Sequence, residues 1–254
     1  MKTLTKSLLA ATLALGSVSA NAAIDNSKTF DSEAFLSVYD SASKGTFTLD
    51  LGVNISTLVA NLNNANFALS YDLSVLSDWN AFKAAAGTLT GAVYSVTAGG
   101  VNASFNPYVL ATGSVQFITG QEWTALNTGV NKINEQAQLI NEQAGDMFNT
   151  VANNTTFVVD GVGKGHHGAA NSLWNSPLGH NPNTAYGDLV DFQMTKLNAS
   201  FSANEVFTSV SQWKLAGDEL TLVAPSAVPV PAAVWLFGTA LLGLFGNSRR
   251  RKAV

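Results

Sequence analysis

The chain of 254 residues contains no cysteine. Disulfides, thiol nucleophiles and thiolate metal sites are thereby excluded, and stability must come from packing, hydrogen bonds or bound partners. Arginine is also missing until Arg249, so the body of the protein has no guanidinium fork for phosphate or carboxylate. Between Ala23 and Ala227 stand 7 Lys against 17 acidic residues, a balance of −10. Nucleic acid and anionic membrane surfaces need a cationic footprint, which this region lacks. Its acidity permits cation-bridged association with acidic polymers. No GxSxG elbow and no HExxH pair occurs. Gly161-Val162-Gly163-Lys164-Gly165 lacks the spacing of a phosphate-binding loop.

The amino-terminal segment has the order of a secretory signal. Lys2 and Lys6 precede an apolar run from Leu8 to Val18, and Ala20-Asn21-Ala22 supplies the small-x-small pattern that signal peptidase accepts. Residues 1–22 are expected to be removed, with Ala20 and Ala22 marking the cleavage site. Export machinery and signal peptidase are the partners that follow.

The carboxyl terminus is built differently. Val228-Pro229-Val230-Pro231 leads into an apolar block from Ala232 to Gly246 that contains Trp235, and Arg249, Arg250, Arg251 and Lys252 close it. A bilayer needs about 20 apolar residues, so the block is near the shortest length for a transmembrane helix, with retained cations on the cytoplasmic side. In this order the three parts resemble the PEP-CTERM class of bacterial sorting signals, in its VPxP variant. The resemblance covers about the last tenth of the chain. It implies recognition by an exosortase, a transpeptidase-like enzyme, and removal of the tail from a precursor tethered to the inner membrane. It implies a cell-surface or extracellular product after processing, in bacteria that make exopolysaccharide, and gives the chain no protease activity of its own.

Between the signals, alternating apolar residues predict strands over 34–39, 45–51, 67–73, 88–97, 114–118, 155–159, 189–196, 205–210, 212–215 and 219–223. Leu36, Val38, Phe47 and Leu49 fall on one face. The Gly99-Gly100 pair reads as a strand end, and Ala216-Gly217-Asp218 as a hairpin turn. Trp123, Leu126, Val130, Ile133, Ala137, Ile140, Ala144, Met147 and Val151 recur at spacings of three and four, predicting an amphipathic helix over 121–151. Within it INEQAQL is followed by INEQAGD, placing two Ile on the stripe and the Asn, Glu and Gln residues on the wet side. The stripe suits packing on the protein's own sheet or pairing with another helix. The fold expected is mainly β with one long amphipathic helix, in a β-sandwich-like extracellular domain over 23–224. A Pro-rich spacer (225–231) and the sorting tail (232–254) follow.

Chemically capable side chains concentrate in and beside the long Gly/Asn/Pro-rich loop from Asp160 to Tyr186. Asp160, His166, His167, His180, Asp188 and Asp191 could ligate a metal, and Trp174 could stack on a glycan. Their spacing matches no known ligand motif, and a solvated loop is the competing reading. Asp188/Asp191 and Asp218/Glu219 are the acidic pairs a hydrolase could use, if they flanked a cleft at a fixed separation. Neither a catalytic residue nor a cofactor is expected. The expected function is a non-enzymatic cell-surface or extracellular-matrix protein, structural or adhesive, with exopolysaccharide or other surface proteins as partners. A secreted carbohydrate- or metal-binding module is the alternative, and an exported hydrolase the third.

Overall fold

The computed structural model describes residues 24–112, 122–144, 155–159, 184–200 and 203–224. The chain divides into two compact units, Met1–Ala224 and Pro225–Val254, and all described residues belong to the first.

The fold is mainly β. Its strands are β1 (Glu33–Asp40), β2 (Gly45–Asn54), β3 (Leu69–Asp72), β4 (Ala92–Val101), β5 (Pro107–Thr112), β6 (Thr155–Val158), β7 (Thr184–Ala185), β8 (Leu189–Leu197), β9 (Asn204–Ala216) and β10 (Glu219–Val223). Nine of them run β3-β10-β9-β8-β5-β4-β1-β2-β6 across one antiparallel sheet, and β7 pairs with β4. Two separately bonded sheets, as in a sandwich, are therefore not what the pairing gives. The single sheet instead curls: Tyr71 on the edge strand β3 donates its hydroxyl to the Leu51 carbonyl on β2 at 2.8 Å, near the opposite edge.

Alternation explains which face is buried where. Leu36 pairs with Leu49 and Val38 with Phe47, and Tyr94, Val96, Leu110, Phe192, Met194, Trp213, Leu215, Leu220 and Leu222 join them in one core. Two short helices cover this core, neither of which the apolar spacing announced. Helix α1 (Ile55–Ala60) starts where Asn54 caps it, accepting from the Thr57 N–H at 2.9 Å. Helix α2 (Ser77–Ala86) carries Asp78 in its first turn and ends at Gly87, whose φ is +69°. Its Trp79 and Phe82 are fully buried against Phe47, and Phe82 meets Phe157 of β6 edge-on at 5.9 Å. Lys83 and the Trp79 indole of the same helix both donate to Asp218 in the β9–β10 turn. One helix thus clasps both ends of the curled sheet.

The opposite face receives helix α3 (Glu122–Ala144). Residues 145–151 of the expected helix lie outside the described residues. Leu126, Val130, Ile133, Ala137 and Ile140 pack with Phe35, Val109 and Leu197, so the Ile stripe is spent on the protein's own sheet. Two expectations need correction. Trp123, assigned to the stripe, is 46% exposed. Asn134, Gln136 and Asn141, assigned to the wet side, are buried. The reason is hydrogen bonding: the Asn134 amide donates to the Gly99 and Val130 carbonyls, both at 2.8 Å. Asn141 both accepts from the Ile24 N–H and donates to the Ile24 carbonyl at 3.0 Å, as a strand partner would.

The Gly99-Gly100 pair does not end β4, which runs on to Val101. It lets two elements approach instead. A Cβ on Gly99 would lie 2.9 Å from the Ile133 side chain, and one on Gly100 would lie 2.0 Å from the Thr29 carbonyl oxygen. Strand β5 follows on residues not expected to form one, and the expected strand 114–118 lies outside the described residues. Pairing on both sides, to β4 and β8, overrides the weak alternation in PYVLAT.

Gly100→Ala is expected to lose at least about 3 kcal/mol of stability, because backbone must move, and Gly99→Ala about 1–3 kcal/mol, because a side-chain end can give. Urea denaturation of the two variants checks the order.

Candidate functional site

The expected histidine site falls almost wholly outside the described residues: Asp160, His166, His167, Trp174 and His180 all do. Asp188 and Asp191 are described, at the start of β8. The Asp188 backbone is engaged, its N–H with the Ala185 carbonyl and its carbonyl with the Tyr94 hydroxyl at 2.8 Å. Asp191 accepts from Gln212 of β9 at 2.8 Å. Among the described residues no group of three or more acidic or histidine side chains is placed to hold a metal ion.

The second acidic pair is held in place by structural contacts. Asp218 takes Lys83 and Trp79, and hydrogen bonds from these two hold its carboxyl below the usual range. Its own carbonyl accepts from the Leu73 N–H at 2.7 Å. Glu219 accepts from Ser70 of β3 at 2.8 Å. Asp218 thus joins α2, β3 and the β9–β10 turn, and Glu219 ties β10 to β3.

The terminal signals cannot be placed either. Ala20, Ala22, Val228, Pro229, Val230, Pro231, Trp235, Arg249, Arg250, Arg251 and Lys252 lie outside the described residues. No helix among the described residues is long and apolar enough to cross a membrane. That corrects the expectation of a transmembrane helix and of an inner-membrane-tethered precursor.

Three local arrangements were not visible from motifs. The first is a buried carboxyl. Asp50 on β2 is 3% exposed and accepts from the Gly52 N–H at 2.8 Å, where Gly52 turns the chain at φ +58°. Burial, and then the neighbouring Glu33 carboxylate, push Asp50 up to about 7. Burial also raises Glu33, which accepts from the Asp25 N–H at 2.9 Å. Nearby Tyr71 is raised by burial first and by the Asp50 charge second.

The second is a row of hydroxyls. Thr156, Thr48, Ser37 and Ser95 are successive cross-strand partners over β6, β2, β1 and β4. Register puts them on one face, the face that carries Phe35 and receives α3. All four are buried, and the hydroxyls of Thr48, Ser37 and Ser95 find no partner among the described residues, nor does neighbouring Thr97. An alternating polar strand normally marks a wet face, so sequence pattern alone points the wrong way here.

The third is a set of exposed apolar side chains on adjoining strands. Leu189 of β8 and Val206 of β9 are each 52% exposed, and Val223 of β10 is 38% exposed. Register places all three on one face of the sheet: Leu189 pairs with Lys214, Thr195 with Val206 and Gln212 with Val223.

Compared with protein-family models, with curated proteins and with solved structures, the chain matches none. Function must be argued from these side chains alone.

Two predictions follow from the buried groups. The folded Asp50 carboxyl holds its proton up to about pH 7, whereas the unfolded one releases it near pH 3.8. Its protonation therefore favours the fold fully below pH 3.8, and this contribution is lost as pH rises toward 7. Asp50→Asn should flatten the stability profile between pH 4 and 7 and exceed the native protein above it, by at most about 4 kcal/mol. Denaturant titrations at pH 4.5, 6 and 8 measure this. Thr48→Val removes a buried, unpaired hydroxyl while keeping its shape, and should raise stability by about 1 kcal/mol in the same assay.

Proposed function

We propose that the protein is a non-enzymatic component of the cell surface or extracellular matrix, with a structural or adhesive role. The observation that carries this reading is the exposure of Leu189, Val206 and Val223 on one face of β8, β9 and β10. Single apolar residues on a surface need no explanation, but several large ones exposed on one sheet face favour association. On that face they stand among Asp191, Gln212, Lys214 and Thr221, the polar setting of a contact surface rather than of a misplaced core. The structural engagement of Asp218 and Glu219 weighs on the same side against a hydrolase. A sandwich-like packing, in which halves of the one sheet face each other across the aromatic core, is the finer fold reading that goes with it. The bond from Tyr71 to Leu51 supports it.

The route to that location rests on sequence. The Val228-to-Lys252 segment supports sorting and carboxyl-terminal processing by an exosortase-type enzyme, with exopolysaccharide or other surface proteins as the surroundings. Intact mass and terminal sequencing of the product from its producing cells test this part. A cytoplasmic species retaining Met1 and Arg249–Lys252 would overturn it.

For the role itself, Leu189→Ser, Val206→Lys and Val223→Lys should be combined. All three side chains are exposed, so each change should move stability by no more than about 0.5 kcal/mol. Self-association in sedimentation velocity and adherence of producing cells should both fall. Unchanged behaviour in a folded triple variant refutes the reading.

A further inference from the structure

The hairpin between β4 and β5 ends in a conformation that its sequence should avoid. Phe105 has φ +58°, in the left-handed region that bulky side chains rarely enter, and its ring is 80% exposed. Nothing in the core is gained by this placement. The backbone is held there by Asn102, whose side-chain oxygen accepts from the Ser104 and Asn106 N–H groups, both at 3.0 Å. The Asn102 carbonyl accepts from the Phe105 N–H at 2.9 Å, and the Asn102 N–H donates to the Asn106 carbonyl at 3.1 Å. The result is a strained aromatic presented to solvent on a hydrogen-bonded loop. Strain of this kind persists where the surroundings over-determine it, and such positions cluster at binding sites.

The surroundings indicate what would bind. From Val101 to Thr112 there is no charged residue, and Lys196, opposite Tyr108 on β8, is paired with Glu205 at 3.2 Å. Around the ring stand neutral hydrogen-bonding groups: Asn102, Ser104, Asn106 and Tyr108, whose hydroxyl accepts from the Asn102 amide at 3.4 Å. The adjacent hairpin, β8–β9, is tied to it by the Asn106 amide, which donates to the Leu197 carbonyl at 3.3 Å. The second tip also repeats the first in sequence: Asn198-Ala199-Ser200-Phe201 against Asn102-Ala103-Ser104-Phe105, with Phe201 outside the described residues.

We propose that the Phe105 hairpin is a recognition tip for neutral carbohydrate, the ring stacking on the apolar face of a sugar while flanking amides and hydroxyls meet its hydroxyl groups. An apolar ring ringed by uncharged donors and acceptors matches the alternation of C–H and O–H surfaces on a pyranose. A hydrophobic protein pocket would call for further large apolar groups beside the ring, and between Asn102 and Asn106 the loop offers only Ala103. This site shares no residue with the exposed side chains on β8–β10, so either can fail while the other stands.

The test uses the folded protein and soluble hexasaccharides of β-1,4-glucose, β-1,3-glucose and N-acetylglucosamine, followed by NMR shifts of the Asn side-chain amides. At least one sugar should bind, and Phe105→Ala should weaken it tenfold or more while Phe105→Trp preserves it. Phe105→Gly is the decisive variant. Glycine occupies a positive φ without strain, so this variant should melt higher than the native protein while losing the sugar. Binding by none of the three, binding unaffected in Phe105→Gly, or Phe105-dependent binding to neutral phosphatidylcholine vesicles without sugar binding would each overturn the assignment.

Discussion

Everything in this domain depends on curling one sheet until its ends can share a core. A flat sheet of this width would need a second sheet to bury its apolar face. Here the same face of β2 and of β10 contributes to one cluster, which only curvature permits. The curvature is fastened by side chains rather than by strand pairing. Tyr71 spans from the β3 edge to β2, and α2 reaches from Phe157 on one side to Asp218 on the other. Asp218 is partly exposed, so its ion pair with Lys83 contributes modestly. The larger contribution is the burial of Trp79 and Phe82 between the ends.

The second face is organised by polar groups. Helix α3 brings an Ile and Leu stripe, yet Asn134 and Asn141 fix its position by satisfying backbone groups of Gly99 and Ile24. Amides at those two positions tie the helix to defined points along the chain, which apolar contacts alone do not. The glycines beneath make that proximity sterically accessible, with β4 squeezed between Ile133 above and Thr29 at its side. Hydroxyls and a protonatable carboxyl then occupy positions on this face that Val or Ile would fill in a simpler sheet.

Much of the sheet was legible in the sequence, and the reason is period two. Leu36, Val38, Phe47 and Leu49 announce both their strands and their shared face, and the β9–β10 hairpin is announced by Gly217-Asp218. The failures share a cause as well. Asn134, Gln136 and Asn141 look like solvent residues until their partners are known, and Gly99-Gly100 looks like a break until an approaching backbone is seen. Helices α1 and α2 are too short for periodicity to reveal; their boundaries at Asn54, which caps the first, and Gly87, which ends the second, carry local signals only. Of the expected metal or glycan site only Asp188 and Asp191 can be placed, and the aromatic with the most unusual setting, Phe105, belongs to no motif at all.

Among the described residues the two outermost strands, β3 and β6, are each four residues long. Exposed strand edges are templates on which other chains can polymerise, and shortness is one of the ways natural sheets limit that growth. The sheet thus offers little backbone for runaway strand addition at either of these margins. Any contact made there falls to side chains instead, where it can be reversible, selective and limited in extent.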